Sequence, residues 1–173
     1  ILNLNSKTAD SFYFEYSINE KNALEAGIGA SFSGLKTLVA MKSFGLNVCS
    51  DALLPLLYTG CKGPIVIILA DDPGCHSSAQ SEQDSRAYAY LAHLPFLEPS
   101  NPQECFDFVK IAFKLSSKFE LPILIRTTTR VAHQREIVQI FFSKISSWKK
   151  GEFIKDTKRF VTFAPRIFEM KKE

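Results

Sequence analysis

Three apolar segments of strand length recur along the chain, and residues with helical character separate them. They span residues 37–41, 64–70 and 122–126. Near-continuous apolar strands separated by helices are typical of a parallel sheet that is covered on both faces. The sequence of 173 residues therefore predicts a single α/β domain with a doubly wound, mostly parallel sheet flanked by helices.

Capping residues and apolar periodicity predict the other elements. We expect an aromatic strand over 12–16, a short strand at 96–97, and helices over 20–34, 46–59, 82–93 and 102–119. Ligands of parallel sheets bind beyond the carboxyl ends of the strands. The predicted binding edge therefore consists of the loops at 17–20, 42–47, 71–81 and 126–133.

Composition and charge exclude several classes of protein. A hydrophobic content of 46% with 23% charged residues is typical of a globular protein, and the longest apolar run is too short to cross a bilayer. Residues 137–173 contain nine Lys or Arg and four Asp or Glu. We interpret 1–136 as the α/β domain and 137–173 as a basic extension that starts a linker toward a further domain. Its charges alternate with aromatic residues, which favours a solvated surface over a nucleic-acid site.

The four cysteines form no C-x-x-C pair, so the chain carries neither a zinc ribbon nor an iron–sulfur binding run. We predict no metal site of its own and reduced thiols. No signal peptide is visible and the first residue is Ile1. We therefore expect a cytoplasmic protein without membrane contact, and a chain that forms part of a longer polypeptide.

Glu20 opens the first predicted helix, three residues after Ser17. A Ser-x-x-Glu pattern at this place indicates a capping box, in which the Glu side chain hydrogen-bonds a backbone N–H group. Within the helix, Gly27 and Gly29 each cost about 1 kcal/mol relative to Ala. Such glycines indicate close approach of another backbone, either inside the domain or at a subunit or cofactor interface.

A series of ordered motifs covers most of the chain. It comprises Ser17-Ile18-Asn19-Glu20-Lys21, Met41-Lys42, Gly45-Leu46-Asn47, Ala70-Asp71-Asp72-Pro73-Gly74, His76-Ser77-Ser78, Glu82-Gln83-Asp84-Ser85-Arg86, Glu98-Pro99-Ser100 and Arg126-Thr127-Thr128-Thr129-Arg130. Together these motifs resemble the α subunit of indolepyruvate ferredoxin oxidoreductases. The resemblance implies the pyrimidine-binding domain of a thiamine-diphosphate enzyme.

The resemblance also implies roles for particular residues. In thiamine-diphosphate enzymes a carboxyl group hydrogen-bonds N1′ of the aminopyrimidine and promotes the tautomer that activates the cofactor. This catalytic role falls to Glu20, with Gly45, Leu46 and Asn47 as further cofactor-binding residues. It is favoured over the capping box, although the two roles do not exclude each other. The implied reaction is oxidative decarboxylation of an aryl pyruvate (indolepyruvate) to the acyl-CoA, with ferredoxin as electron acceptor.

Five further residues are predicted to line the cleft or contact substrate: Lys42, His76, Ser77, Arg86 and Arg126. The loop with His76 and Ser77 also offers the residue types of a hydrolase triad. Consecutive residues do not readily form a triad, however, and no G-x-S-x-G motif is present. Turn formation and a helix start are the alternative for this loop, and salt bridges between subunits are the alternative for Arg126.

The resemblance implies that other parts of the active site come from absent segments or partner chains. These are a second thiamine domain that binds Mg²⁺ and the diphosphate, and segments that hold 4Fe-4S clusters. We expect an oligomer with these partners, and no activity of the chain alone. Ser43 stands where the family commonly has His. Two alternatives remain open: the same domain acting on pyruvate or a branched-chain 2-oxo acid, and a non-catalytic subunit or remnant with a scaffold or interaction role.

Overall fold

The computed structural model describes residues 12–74, 81–141, 150–153 and 155–172, and helices and strands alternate along them. The elements are α1 Glu20–Phe32, β1 Thr37–Lys42, α2 Ser43–Thr59, β2 Ile65–Asp71, α3 Ala87–Ala92, β3 Phe96–Leu97, α4 Pro102–Phe119, β4 Ile123–Thr128, α5 Thr129–Ala132 and α6 Arg166–Met170.

The four strands form one sheet in the order β1-β2-β4-β3, and every neighbouring pair is parallel. β4 is the last strand in sequence but lies between β2 and β3. The connection from β2 to β3 therefore passes over the position of β4, and the next connection returns to it. The register pairs Asp71 with Thr128, which places the carboxyl ends of β2 and β4 side by side. The predicted parallel α/β fold is confirmed.

Each face of the sheet is covered by helices, because the strands carry apolar side chains on both sides. On one face Val39, Ile67 and Leu69 pack against α1 and α2. On the other face Val66 and Ile125 pack against α4. Full burial of such a side chain contributes about 1.5–3 kcal/mol, so these two layers supply most of the stability.

Gly27 explains part of the small-residue stripe on α1. A Cβ atom at this position would lie 3.0 Å from the Cγ2 atoms of Thr37 and Val39 on β1. The helix therefore packs closely on the edge strand, and a methyl group at residue 27 would press on these two side chains; this is the predicted contact within the domain. Gly29 has open space around its Cα, so no contact in the described part of the chain accounts for it.

Three sequence predictions about local structure were wrong. Residues 12–16 form no strand, because no neighbouring strand pairs with them, and Tyr13 and Tyr16 are largely exposed. Helix α2 begins three residues earlier than predicted, since the chain turns from β1 straight into it. Helix α3 begins only at Ala87 because the preceding backbone N–H groups of Gln83 and Ser85 bond to the end of β2.

The described residues after 150 return to the α/β domain. Arg159 donates hydrogen bonds from Nη2 to the main-chain oxygen of Cys61 at 3.1 Å and to Glu120 at 2.8 Å. The Phe160 ring lies 4.3 Å from that of Phe32, measured between centroids. This part of the predicted basic extension therefore packs on α1 and the loop after α2. That it also leads to a further domain stays a prediction.

No helix within the described residues combines the length and the apolar character needed to cross a membrane.

Candidate active site

The carboxyl ends of β1, β2 and β4 form the edge at which the predicted site residues gather. Lys42 ends β1, Asp71 ends β2, and Arg126 lies two residues before the end of β4. β1 and β2 pair in register, as do β2 and β4, so these ends are neighbours. Helix α2 starts directly after Lys42 and brings its first turn to the same edge.

Glu20 is the first residue of α1, but it is not part of a capping box. The N-cap is Asn19, whose Oδ1 accepts a hydrogen bond from the Asn22 N–H at 2.9 Å. Ser17 instead donates from its hydroxyl to Glu15 at 3.3 Å. The predicted Ser17–Glu20 box is therefore wrong. Within the described residues no hydrogen bond or ion pair engages the half-buried Glu20 carboxylate, so the group is available to a ligand.

Gly45 provides the surface on which the Glu20 side chain lies. A Cβ at residue 45 would overlap Cγ of Glu20 and come within 3.0 Å of its Cβ and Cδ atoms. Glu20 therefore packs against the first turn of α2 while it belongs to the first turn of α1. Both turns carry the positive ends of helix dipoles, which favour a carboxylate at this place.

We expect Gly45→Ala to move Glu20 rather than to unfold the domain. Alanine gains about 1 kcal/mol of helix propensity over glycine, while its methyl group displaces the flexible Glu20 side chain. The free energy of unfolding should therefore change by less than about 1 kcal/mol. In the Glu20→Ala background the overlap is gone, so Gly45→Ala should become stabilising by up to about 1 kcal/mol. Urea denaturation of the four proteins measures this; equal effects in both backgrounds would contradict the packing.

Cys49 lies one helical turn after Gly45 and is fully buried. Burial raises the pKa of its thiol to about 11, and the negative charge of Glu20 adds to the effect. Near pH 8 only about one Cys49 in a thousand is then a thiolate, the reactive form. Cys105 is half-buried, and burial raises its pKa as well.

We predict that iodoacetamide labels Cys105 well before Cys49 at pH 8. Labelling of Cys49 should accelerate about tenfold per pH unit between pH 8 and 10, because its thiolate fraction rises in that proportion. Peptide mass spectrometry after timed quenching measures both rates. Rapid labelling of Cys49 at pH 8 would show that the first turns of α1 and α2 open readily.

The Asn47 side chain is hydrogen-bonded to other residues of the domain, and the Leu46 side chain is buried. Asn47 donates from Nδ2 to Gln83 Oε1 at 2.8 Å, and its Oδ1 accepts from Gln83 Nε2 at 3.1 Å and from the Tyr88 hydroxyl at 2.9 Å. Leu46 is part of the hydrophobic core with no exposed surface. Of the three residues predicted to bind cofactor beside Glu20, Gly45 lies against the Glu20 side chain.

Lys42 forms an ion pair with Asp72 at the end of the sheet. Asp72 is 1% exposed and also accepts a hydrogen bond from the Thr129 hydroxyl at 2.6 Å. The Lys42 side chain remains 30% exposed at this edge, and its predicted place in the substrate cleft stays a prediction. Next to it, the hydroxyl of fully buried Ser43 has no hydrogen-bond partner among the described residues.

Arg126 lies at the centre of a buried cluster of carboxylates. Its side chain has no exposed surface and donates to Asp71 at 2.5 Å, to Asp84 at 3.1 Å and to Glu98. Arg86 joins the cluster through Glu98 at 2.9 Å. The geometry gives Arg126 a role inside the domain, since each of its three side-chain nitrogens bonds a carboxylate; its contact with substrate stays a prediction. Arg86 remains 58% exposed in its side chain.

Two predicted cleft residues, His76 and Ser77, lie outside the described residues. In the described ranges no group of three or more His, Cys, Asp or Glu side chains is placed to hold a metal ion. Gln83 and Glu98 belong to the quoted motifs but had no predicted role. The polar residues that follow the strand ends are the signal that could have indicated them.

Comparison with known proteins identifies the family. The model for "Pyruvate flavodoxin/ferredoxin oxidoreductase, thiamine diP-bdg" matches residues 4–170. The chain is 50% identical over 149 residues to the indolepyruvate oxidoreductase subunit IorA of Methanothermobacter thermautotrophicus, covering 86% of this chain and 24% of the relative. The corresponding subunit of Thermococcus kodakarensis is 46% identical over 153 residues, with 86% and 24% covered. The chain thus spans about a quarter of the length of these curated relatives.

More distant relatives agree in family and in fold. The 2-oxoglutarate synthase subunit KorA of Methanothermobacter thermautotrophicus is 30% identical over 130 residues, with 70% of this chain and 34% of the relative covered. A chain of the 2-oxoglutarate:ferredoxin oxidoreductase from Magnetococcus marinus shares the fold with a TM-score of 0.62 at 17% identity, covering 75% of this chain and 23% of that one. The chain therefore belongs to the pyruvate flavodoxin/ferredoxin oxidoreductase family and represents its thiamine-diphosphate-binding domain, as the motifs of the sequence indicated.

Proposed function

We propose that the chain supplies the aminopyrimidine-activating carboxylate, Glu20, and part of the cleft of a 2-oxoacid:ferredoxin oxidoreductase. The substrate would be an aryl pyruvate, indolepyruvate, which is converted to its acyl-CoA while ferredoxin is reduced. The observation that carries the proposal is the state of Glu20. Its carboxylate caps no helix, has no partner in the described part of the chain, and lies half-buried on Gly45 at the binding edge.

The residues present fit the aminopyrimidine end of thiamine diphosphate. A carboxylate held between two helix starts is well suited to share a hydrogen bond with a basic ring nitrogen. Gly45 leaves the space over the first turn of α2 to the Glu20 side chain, which lies against it. Glu20 would therefore hold this end of the cofactor, with Gly45 supporting its side chain.

When bound, thiamine diphosphate supplies the electron sink that makes decarboxylation of a 2-oxo acid possible. This chain would contribute by positioning one proton. Glu20 would hold the proton that it shares with N1′ of the ring. The low local polarity of the half-buried site strengthens that hydrogen bond. Lys42, 30% exposed at the same edge, would face the cleft.

The rest of the machinery is proposed to lie in other segments or subunits. Mg²⁺ and the diphosphate would be bound by a second thiamine domain, and 4Fe-4S clusters would pass electrons to ferredoxin. CoA would accept the acyl group. The coverage of only about a quarter of each curated relative supports this division, because the remaining length leaves room for such parts. We propose that the isolated chain does not turn over substrate.

The proposal of an aryl pyruvate as substrate is supported by how similar the chain is to two groups of relatives. The relatives named indolepyruvate oxidoreductase subunits in the comparison are 43–50% identical to the chain, whereas the 2-oxoglutarate synthase subunits of two Methanothermobacter species are 28–30% identical. A pocket that binds an indole ring is apolar, whereas a pocket that binds the second carboxylate of 2-oxoglutarate is polar. Such a difference is large enough to separate the two substrates by orders of magnitude in kcat/KM.

The proposal is tested with the complex purified from its source cells through a tag on this chain. Ferredoxin reduction is measured with CoA, thiamine diphosphate, Mg²⁺ and one of four 2-oxo acids: indolepyruvate, pyruvate, 2-oxoglutarate and 3-methyl-2-oxobutanoate. We expect kcat/KM for indolepyruvate to exceed the others by at least about tenfold, and no turnover by the isolated chain. A higher value for another acid would overturn the substrate assignment. No turnover by the complex on any of the four would favour the scaffold alternative.

A further inference from the structure

Helix α2 begins without a cap from its own N-terminal residue. Its N-cap is Lys42, whose side chain makes no capping hydrogen bond. The first turn of an uncapped helix frays readily, because its backbone N–H groups have no partners within the helix. The same turn contains Gly45, against which Glu20 packs. Whatever holds this turn therefore also sets the position of Glu20.

Gln83 holds the turn from outside the helix. Its Nε2 donates to the main-chain oxygen of Ser43 at 3.1 Å and to Oδ1 of Asn47 at 3.1 Å. Its Oε1 accepts from Nδ2 of Asn47 at 2.8 Å. Ser43 and Asn47 are the two ends of one helical turn, and Gly45 lies midway between them. Gln83 thus binds both ends of the turn on which Glu20 lies.

Gln83 is itself fixed to the end of the sheet. Its backbone N–H donates to the Asp72 carbonyl at 3.3 Å, and its Nε2 lies 2.9 Å from the Ser85 hydroxyl. Ser85 donates to Asp71 from its backbone N–H at 2.8 Å and from its hydroxyl at 2.9 Å. Asp71 in turn pairs with buried Arg126. A continuous set of contacts therefore runs from the buried ion pair of the sheet to the first turn of α2.

We infer that Gln83 is a positioning residue for Glu20. By holding residues 43 and 47 against the end of the sheet, it fixes Gly45 and hence the direction in which the Glu20 carboxylate meets an aminopyrimidine. The inference rests on the proposed function, since it needs a ligand at Glu20. It also gives Asn47 a role as the partner of Gln83 in place of a direct contact with the cofactor.

The test replaces Gln83 by Met, which keeps the length of the side chain and removes its donors and acceptor. The complex purified through this chain is freed of cofactor, and the dissociation constant of thiamine diphosphate is measured with Mg²⁺ present. We expect Gln83→Met to weaken binding about tenfold, as for loss of hydrogen bonds that orient a single group. Hydrogen exchange of the peptide that contains residues 43–47 should become faster, since the first turn loses its support.

Tyr88→Phe is the matched control. It removes the bonds of the Tyr88 hydroxyl to Asn47 and Ser50, each 2.9 Å long, from the same polar cluster. It leaves the bonds between Gln83 and the first turn intact, so cofactor affinity should stay within about twofold of wild type. In the Glu20→Gln background, Gln83→Met should also change affinity by less than about twofold, because the carboxylate that it orients is gone.

Two outcomes would overturn the inference alone. One is equal weakening by Gln83→Met and Tyr88→Phe. The other is an effect of Gln83→Met that is just as large without the Glu20 carboxylate, since a purely structural role would act in both backgrounds. A wild-type complex that does not bind thiamine diphosphate, or a Glu20→Gln complex as active as wild type, would overturn the proposed function and the inference with it.

Discussion

Glu20→Gln is expected to lower kcat of the complex by about 10²- to 10⁴-fold, the range that a positioned proton-transfer group contributes. Gln has the shape of Glu but neither its charge nor its ability to exchange a proton at a ring nitrogen. Because no described residue bonds to the Glu20 carboxylate, the substitution breaks no contact of the fold. The free energy of unfolding should therefore change by no more than about 1 kcal/mol, the value of one charge at a helix start. Steady-state ferredoxin reduction and urea denaturation measure the two quantities.

Glu25→Gln is the control on the same helix. The Glu25 side chain is 51% exposed and forms only a 3.8 Å ion pair with Lys21. Activity and stability should both stay near wild type, since exposed pairs contribute about 0–1 kcal/mol. Glu20→Asp retains the charge but shortens the reach by one methylene, so its kcat should lie between those of wild type and Glu20→Gln. A Glu20→Gln complex with kcat within twofold of wild type would exclude the proposed catalytic role.

The sheet was predictable because its strands are buried on both faces. β2 is almost entirely apolar and β4 opens with Ile123, Leu124 and Ile125, and such apolar runs are typical of covered parallel strands. Residues 12–16 are also rich in large apolar side chains, here aromatic ones, but form no strand. Strand formation needs a neighbouring strand to bond with, which no local pattern reports. The predicted element boundaries were wrong where hydrogen bonds to residues distant in sequence decide them, as at Gln83 and Ser85 before α3.

The site was predictable only as far as family motifs reach. They identified Glu20 and Gly45, and the structure brings these two side by side. The N-cap could not be identified from spacing, because Ser17 and Asn19 are both residue types that cap helices well. Asn19 is the N-cap because its backbone is extended directly before the helix. The partners of Arg126 lie 28, 42 and 55 residues away in sequence, and such pairings follow from the chain path alone.

Arg126→Met is expected to destabilise the domain by about 3–5 kcal/mol, the usual effect of removing one partner from a buried ion pair. Asp71 would remain 1% exposed without its cation, while Asp84 and Glu98 would keep only their pairs with the exposed Arg86. Since domains of this size are stable by about 5–15 kcal/mol, the loss is a large fraction of the total. The midpoint of urea denaturation of the purified chain, compared at equal slope, measures it.

Two further variants separate charge burial from loss of packing. Arg86→Met removes a cation from the same cluster, but the Arg86 side chain is 58% exposed, so the effect should be about 0–1 kcal/mol. Arg126→Met combined with Asp71→Asn leaves no unpaired charge at Asp71, and the Asn oxygen can still accept from Ser85. The double variant should therefore be more stable than Arg126→Met alone, with a coupling energy of about 0.5–3 kcal/mol. If the two substitutions are additive, the cost of Arg126→Met arises from packing of its side chain instead of from the stranded carboxylate.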